Sequence, residues 1–137
     1  MADTIRRVEY FYLEVADKPG EGARVLAYLK EAGVNLLAYS GFPAGRRSQL
    51  DFVPADPAAF KQAVRRGKWK VTGPKRGFLI QGEDRIGAVA EIMEKLAAAK
   101  INVTAMDALC AGGGRYGAIL WVKPAAFSRA ARALGAE

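Results

Sequence analysis

The chain repeats itself. Displaced by 67 residues, its first half matches its second without a gap. Asp17-Lys18-Pro19-Gly20 falls on Asp84-Arg85-Ile86-Gly87, and Val34-Asn35-Leu36 falls on Ile101-Asn102-Val103. Pro57-Ala58-Ala59-Phe60 falls on Pro124-Ala125-Ala126-Phe127, and Leu29, Ala32 and Ala63 fall on Leu96, Ala99 and Ala130. A single register held from residue 17 to residue 65 marks two copies of one structural unit. The unit must therefore be small, because two copies fit in 137 residues.

Each element can be read once and checked in the other copy. Val8 to Val15 is rich in β-formers and predicts a strand, with Phe78-Leu79-Ile80-Gln81 as its counterpart. A glycine-containing turn follows, then apolar residues at helical spacing: Val25, Leu26, Leu29 and Ala32, or Val89, Ile92, Met93 and Leu96. The chain re-enters a strand at Asn35 or Asn102. It turns in a glycine-rich hairpin, at Gly41 to Arg47 or Ala111 to Gly114, and returns through Leu50 to Val53 or Ala118 to Val122. Pro57 and Pro124 suit the first turn of a second helix. Trp69-Lys70-Val71 can supply a fourth strand in the first copy, whereas the second copy stops soon after its last helix. Seven strands are expected, or a very short eighth. The order β-α-β-β-α-β predicts an α+β, ferredoxin-like unit with an antiparallel sheet and both helices on one face. Two such units, 1–71 and 72–137, would hide exposed edges by placing their sheets side by side.

The turn before the first helix is the best candidate for binding. It is Asp17-Lys18-Pro19-Gly20 in one copy and Asp84-Arg85-Ile86-Gly87 in the other. The first amides of a helix have no partner within it and carry the positive end of its dipole, so a carboxylate or phosphate can dock there. Glycine lets a ligand approach the backbone closely. Asp17 and Asp84 either cap the helix or accept a bond from a ligand ammonium. Asn35 and Asn102 each follow the turn glycine by 15 residues, and each either bonds a ligand through its amide or bonds its own backbone.

These residues carry a resemblance. Asp-Lys-Pro-Gly, an amphipathic helix and then Gly-Val-Asn-Leu is similar to the signature of ACT domains; the second copy, Asp-Arg-Ile-Gly with Lys-Ile-Asn-Val, lacks the proline. The resemblance extends over roughly residues 6 to 134 and implies two tandem ACT-like repeats. It implies a non-catalytic regulatory protein that binds an amino acid where the turn of one unit meets the second-strand start of its neighbour. One implied site joins Asp17, Pro19 and Gly20 to Asn102 and Val103. The other joins Asp84, Ile86 and Gly87 to Asn35 and Leu36.

Composition narrows the alternatives. There is no histidine, the commonest general base and metal ligand, and one cysteine, Cys110. Neither a metal centre nor a cofactor is expected, and no P-loop motif is present. Cys110 is read as a small buried or hairpin residue rather than a nucleophile. The lone cysteine and the absence of an apolar leader or a long apolar run point to a cytoplasmic chain with no membrane span. The net charge of +7 is spread almost evenly, at +4 for residues 1–70 and +3 for 71–137. The basic run Arg65, Arg66, Lys68, Lys70, Lys75 and Arg76 is either a solvated connector or a patch for an acidic partner. RNA-recognition motifs share the βαββαβ order, and Arg115-Tyr116-Gly117-Ala118-Ile119-Leu120-Trp121 is a faint echo of their third strand. An RNA-binding module is therefore the weaker alternative, beside an interaction module without a ligand. A homodimer is the expected assembly.

Overall fold

The computed structural model describes residues 3–137. Among them, six strands and four helices follow one another: β1 (Thr4–Ala16), α1 (Glu21–Glu31), β2 (Leu36–Ala44), β3 (Arg47–Pro54), α2 (Pro57–Gly67), β4 (Thr72–Glu83), α3 (Ala88–Ala98), β5 (Ala105–Gly112), β6 (Arg115–Trp121) and α4 (Phe127–Leu134). The expected α+β fold is present, with βαββα order in each copy. The expected strand at Trp69-Lys70-Val71 is not. Trp69 packs its ring against Tyr28 instead, with centroids 4.8 Å apart. No helix or reversing turn separates Thr72 from Glu83, so the fourth strand of copy one and the first strand of copy two are a single strand, β4.

The compact units are Glu9–Lys75 and, discontinuously, Arg76–Glu137 with residues 3–8. Set against repeats at 1–71 and 72–137, the first residues have changed sides. The reason lies in β1, whose 13 residues are more than one copy uses. Phe11, Leu13 and Val15 enter the core of the first unit, while Ile5 enters that of the second. The front of β1 thus supplies a strand that the second copy lacks. The expected eighth strand shrinks to one bridge: the Glu137 amide donates to the Ile5 carbonyl at 2.9 Å, and the Arg7 amide to the Glu137 carbonyl at 3.1 Å.

Within each unit the strand pairs are antiparallel, in the orders β2-β3-β1 and β4-β6-β5. Both helices of a unit lie on the same face, because side chains alternate along a strand and only one set is apolar enough to be buried there. In Glu9–Lys75 that core joins Phe11, Leu13, Leu50 and Phe52 to Val25 and Leu29 of α1 and Phe60 and Ala63 of α2. In the other unit Phe78, Ile80 and Leu120 meet Ile92 and Leu96 of α3 and Phe127 and Ala130 of α4. The repeated phenylalanines Phe60 and Phe127 do the same job. Phe60 lies 4.7 Å from the Phe11 ring, and Phe127 stacks on Phe78 at 4.6 Å.

Both hairpins turn in two residues, tighter than expected: Gly45-Arg46 between β2 and β3, and Gly113-Gly114 between β5 and β6. Pro57 opens α2 as expected, and the Asp56 side chain caps it by accepting from the Ala58 and Ala59 amides. Pro124 opens a 3-10 turn, Pro124–Ala126, that leads into α4. No helix among the described residues is long and apolar enough to cross a membrane.

Candidate functional site

Helices α1 and α3 begin differently from α2. Each is entered through a glycine with left-handed backbone, Gly20 at φ 91° and Gly87 at φ 83°, and neither has a side-chain cap. Asp17 and Asp84 therefore do not cap. Each is held by its own hairpin instead. An Asp17 carboxylate oxygen accepts from the Ser48 hydroxyl at 3.0 Å. Asp84 faces Cys110, whose thiol is pushed up by a hydrogen bond to that carboxylate and by its charge. Cys110 is exposed on β5, not buried, and the charge beside it disfavours the thiolate a nucleophile needs.

The first-copy turn borders an open concavity of about 230 Å3 lined by Asp17, Lys18, Gly22, Phe42, Ser48 and Leu50. A second concavity in the same unit, about 420 Å3, lies at the other end of α1, where Leu26, Leu29, Lys30 and Val34 meet Asn35 and Leu36. The Asn35 carbonyl accepts from the Ala55 amide at 2.9 Å, but its side chain, like that of Asn102, is exposed and makes no hydrogen bond among the described residues. Neither asparagine amide is tied to its own backbone.

No protein-family model matches the chain, and no curated protein matches it in sequence. Solved structures do match. Protein BT0572 from Bacteroides thetaiotaomicron superposes with a TM-score of 0.80 at 16% identity, covering 97% of this chain and 88% of that one. The ligand-free regulatory subunit of aspartate kinase from Thermus thermophilus gives 0.65 at 17%, covering 98% and 95%. The corresponding subunit from Thermus flavus gives 0.57 at 21%, covering 98% and 94%.

The fold is ACT-like. At these identities the likeness is one of fold.

Within each ACT-like unit the proposed ligand residues divide into two groups. Asp17, Pro19 and Gly20 precede α1, while Asn35 and Leu36 follow it; Asp84, Ile86 and Gly87 precede α3, while Asn102 and Val103 follow it. Eleven residues of helix separate the groups in each case, a span of about 16 Å. No ACT-like unit brings its own turn to its own asparagine. Leu36 opens β2 as expected, but Asn102 and Val103 precede a strand that begins only at Ala105. Ile86 is fully exposed, where Pro19 stands in the first copy.

Sequence reasoning missed the residues that hold the second turn. Arg85 reaches Asp3 at 3.1 Å and Glu91 at 3.0 Å, fastening the turn to the residue just before β1 and to α3. A Gly82 side chain would run into Asp3 and Tyr116, which accounts for glycine there. The one available signal was Arg85 in the place of Lys18, a fork that bonds two carboxylates at once. Burial pushes the Asp3 carboxyl up, but hydrogen bonds and charge from Arg85 outweigh it and hold the group below its ordinary value. Glu91 is lowered in the same way. A carboxyl depressed in the folded state stabilises it above the unfolded pKa, near 4 for Asp, and loses that contribution as pH falls through the folded value. The urea midpoint is therefore expected to rise with pH across roughly pH 3 to 5. Arg85→Gln should shrink that rise and lower the urea midpoint at pH 7, because the Asp3 carboxylate loses its partner.

Proposed function

We propose that this chain is a non-catalytic sensor that binds an amino acid between the turn of one ACT-like repeat and the asparagine of another. The observation that carries this reading is the pair of uncapped, glycine-started helices, α1 and α3, beside a properly capped α2. Their first amides suit a ligand carboxylate. Asp17 or Asp84 suits the ammonium, and the exposed Asn102 or Asn35 amide suits the remaining polar atoms. Pairing in this sense joins Asp17, Pro19 and Gly20 to Asn102 and Val103, and Asp84, Ile86 and Gly87 to Asn35 and Leu36. The regulatory subunits of aspartate kinase share this architecture, which supports a regulatory rather than a catalytic role. The lack of histidine and the disfavoured Cys110 thiolate support the same view.

A homodimer fits this reading, since β2 and β5 each pair on only one side within their units and so leave backbone groups for a second copy. A cytoplasmic protein sensing free amino acids also fits an exposed lone cysteine. The RNA-binding alternative loses its aromatic support, because Tyr116 and Trp121 are each only 5% exposed and offer no face for a base.

Thermal unfolding with each of the twenty amino acids at millimolar concentration tests the proposal. One or a few should raise the midpoint; a ligand at 100 times its Kd stabilises by about 2.7 kcal/mol. Replacing Asp17 and Asp84 together by alanine should abolish the rise. Twenty flat responses would overturn the sensor reading.

A further inference from the structure

The face of Glu9–Lys75 turned away from its helices carries a separate concavity. Phe11, Leu13 and Val15 point into the helix-covered core, so the alternating residues Tyr12 and Glu14 point the other way. On β3, Leu50 enters that core opposite Leu13, which puts Arg47, opposite Ala16, on the same face as Glu14. Tyr12, Glu14, Arg47, Lys70 and Thr72 together line a hollow of about 350 Å3, within the usual range of small-molecule sites, about 300–1,000 Å3.

The lining has a definite charge pattern. An Arg47 guanidinium nitrogen donates to the Glu14 carbonyl at 3.1 Å, which fixes the fork and leaves its other N–H groups unspent. Lys70 and the Glu14 carboxylate each lack an ion-pair partner among the described residues. Tyr12 is electron-rich enough at its ring to hold the Lys75 ammonium 5.4 Å from the centroid. The hollow therefore presents two cations, one carboxylate and the hydroxyl-bearing Tyr12 and Thr72, with Lys75 over the Tyr12 ring.

That pattern selects among ligands. A simple anion satisfies Arg47 and Lys70 but meets the Glu14 charge. A simple cation meets the reverse conflict. A molecule with two carboxylates and one ammonium answers every charge of the lining: one carboxylate on the Arg47 fork, one on Lys70, and the ammonium at Glu14. Its net negative charge also suits a hollow in which cations outnumber carboxylates. We propose that this hollow is a second binding site, specific for a dicarboxylic amino acid, on the face opposite the α1 turn. It uses none of the turn or asparagine residues, so it stands or falls independently of them.

Titration of the full chain with L-glutamate, L-aspartate, glutarate and inorganic phosphate, followed by calorimetry and by amide shifts in NMR, tests it. One of the two amino acids should bind and move the amides of Tyr12, Arg47 and Lys70. Lys70→Gln, at an exposed connector position, should weaken that binding by about tenfold or more. Glu14→Gln should weaken the amino acid while strengthening glutarate, which lacks the ammonium. Glu94→Gln, exposed on α3 and outside both sites, should leave the binding unchanged. The proposal is overturned if neither amino acid moves those amides at about 10 mM, if phosphate binds as tightly, or if Lys70→Gln and Glu14→Gln have no effect.

Discussion

Phe60→Ala is expected to cost about 3–5 kcal/mol, enough to leave the Glu9–Lys75 unit largely unfolded under mild denaturant. Phe60 is completely buried, and its ring meets Phe11 at 4.7 Å and Phe52 at 5.5 Å. Removing it takes away one wall of an aromatic cluster that also anchors α2 to the strands. The neighbours, Val25, Leu29 and Ala63, are fixed on helices and cannot close the gap without moving the backbone. Urea unfolding followed by tryptophan fluorescence gives the measurement, since Trp69 reports on this unit. Phe42→Ala serves as the control: Phe42 is 43% exposed, and its loss should change stability by no more than about 0.5 kcal/mol. A comparable loss from both variants would mean that burial does not set the energy here.

Gly73→Ala is expected to cost about 2–6 kcal/mol, from two causes that add. The backbone at Gly73 has φ 133°, a region that side chains rarely tolerate, worth about 1–3 kcal/mol. A methyl group there would also stand 2.8 Å from the Phe11 ring and 2.9 Å from the Tyr10 carbonyl oxygen. The second of these is backbone, so it cannot swing aside, and β1 would have to shift, at about another 1–3 kcal/mol. Gly20→Ala isolates the first cause, because a methyl group at Gly20 meets nothing within 4 Å. It should cost only about 1 kcal/mol. The larger cost at Gly73, read from urea midpoints, reports the added clash together with its less tolerant backbone angle. Equal costs would show that β1 and β4 are not packed as described at Tyr10 and Phe11.

Repetition made much of this legible. The 67-residue register located both helix pairs, and the Pro-Ala-Ala-Phe block picked out Phe60 and Phe127, the residues around which each core is arranged. Three things escaped it, each for a physical reason. A repeat offset says where copies begin but not where a strand stops serving one copy and starts serving the other. The division of β1 and β4 between units was therefore hidden. The choice between capping and other roles stayed open at Asp17 and Asp84 because capping follows backbone conformation. With the glycines in the left-handed region at the helix start, those side chains turn to the hairpins. The hollow at Tyr12, Arg47 and Lys70 was invisible because its members come from β1, β3 and the connector, and no periodicity links them.

The interrupted second unit has a consequence for how the chain reaches its native state. Glu9–Lys75 is one unbroken stretch, so its contacts close loops no longer than itself. Ile5 must instead find Phe78, Ile80 and the helices beyond them across that entire stretch. Joining the ends of a long segment is slower and carries a larger entropic penalty than joining those of a short one. If the intervening stretch has already condensed, the two flanks are brought within reach of each other and the penalty falls. The natural order is then inside first, with the early β1 residues left as the last piece to seat.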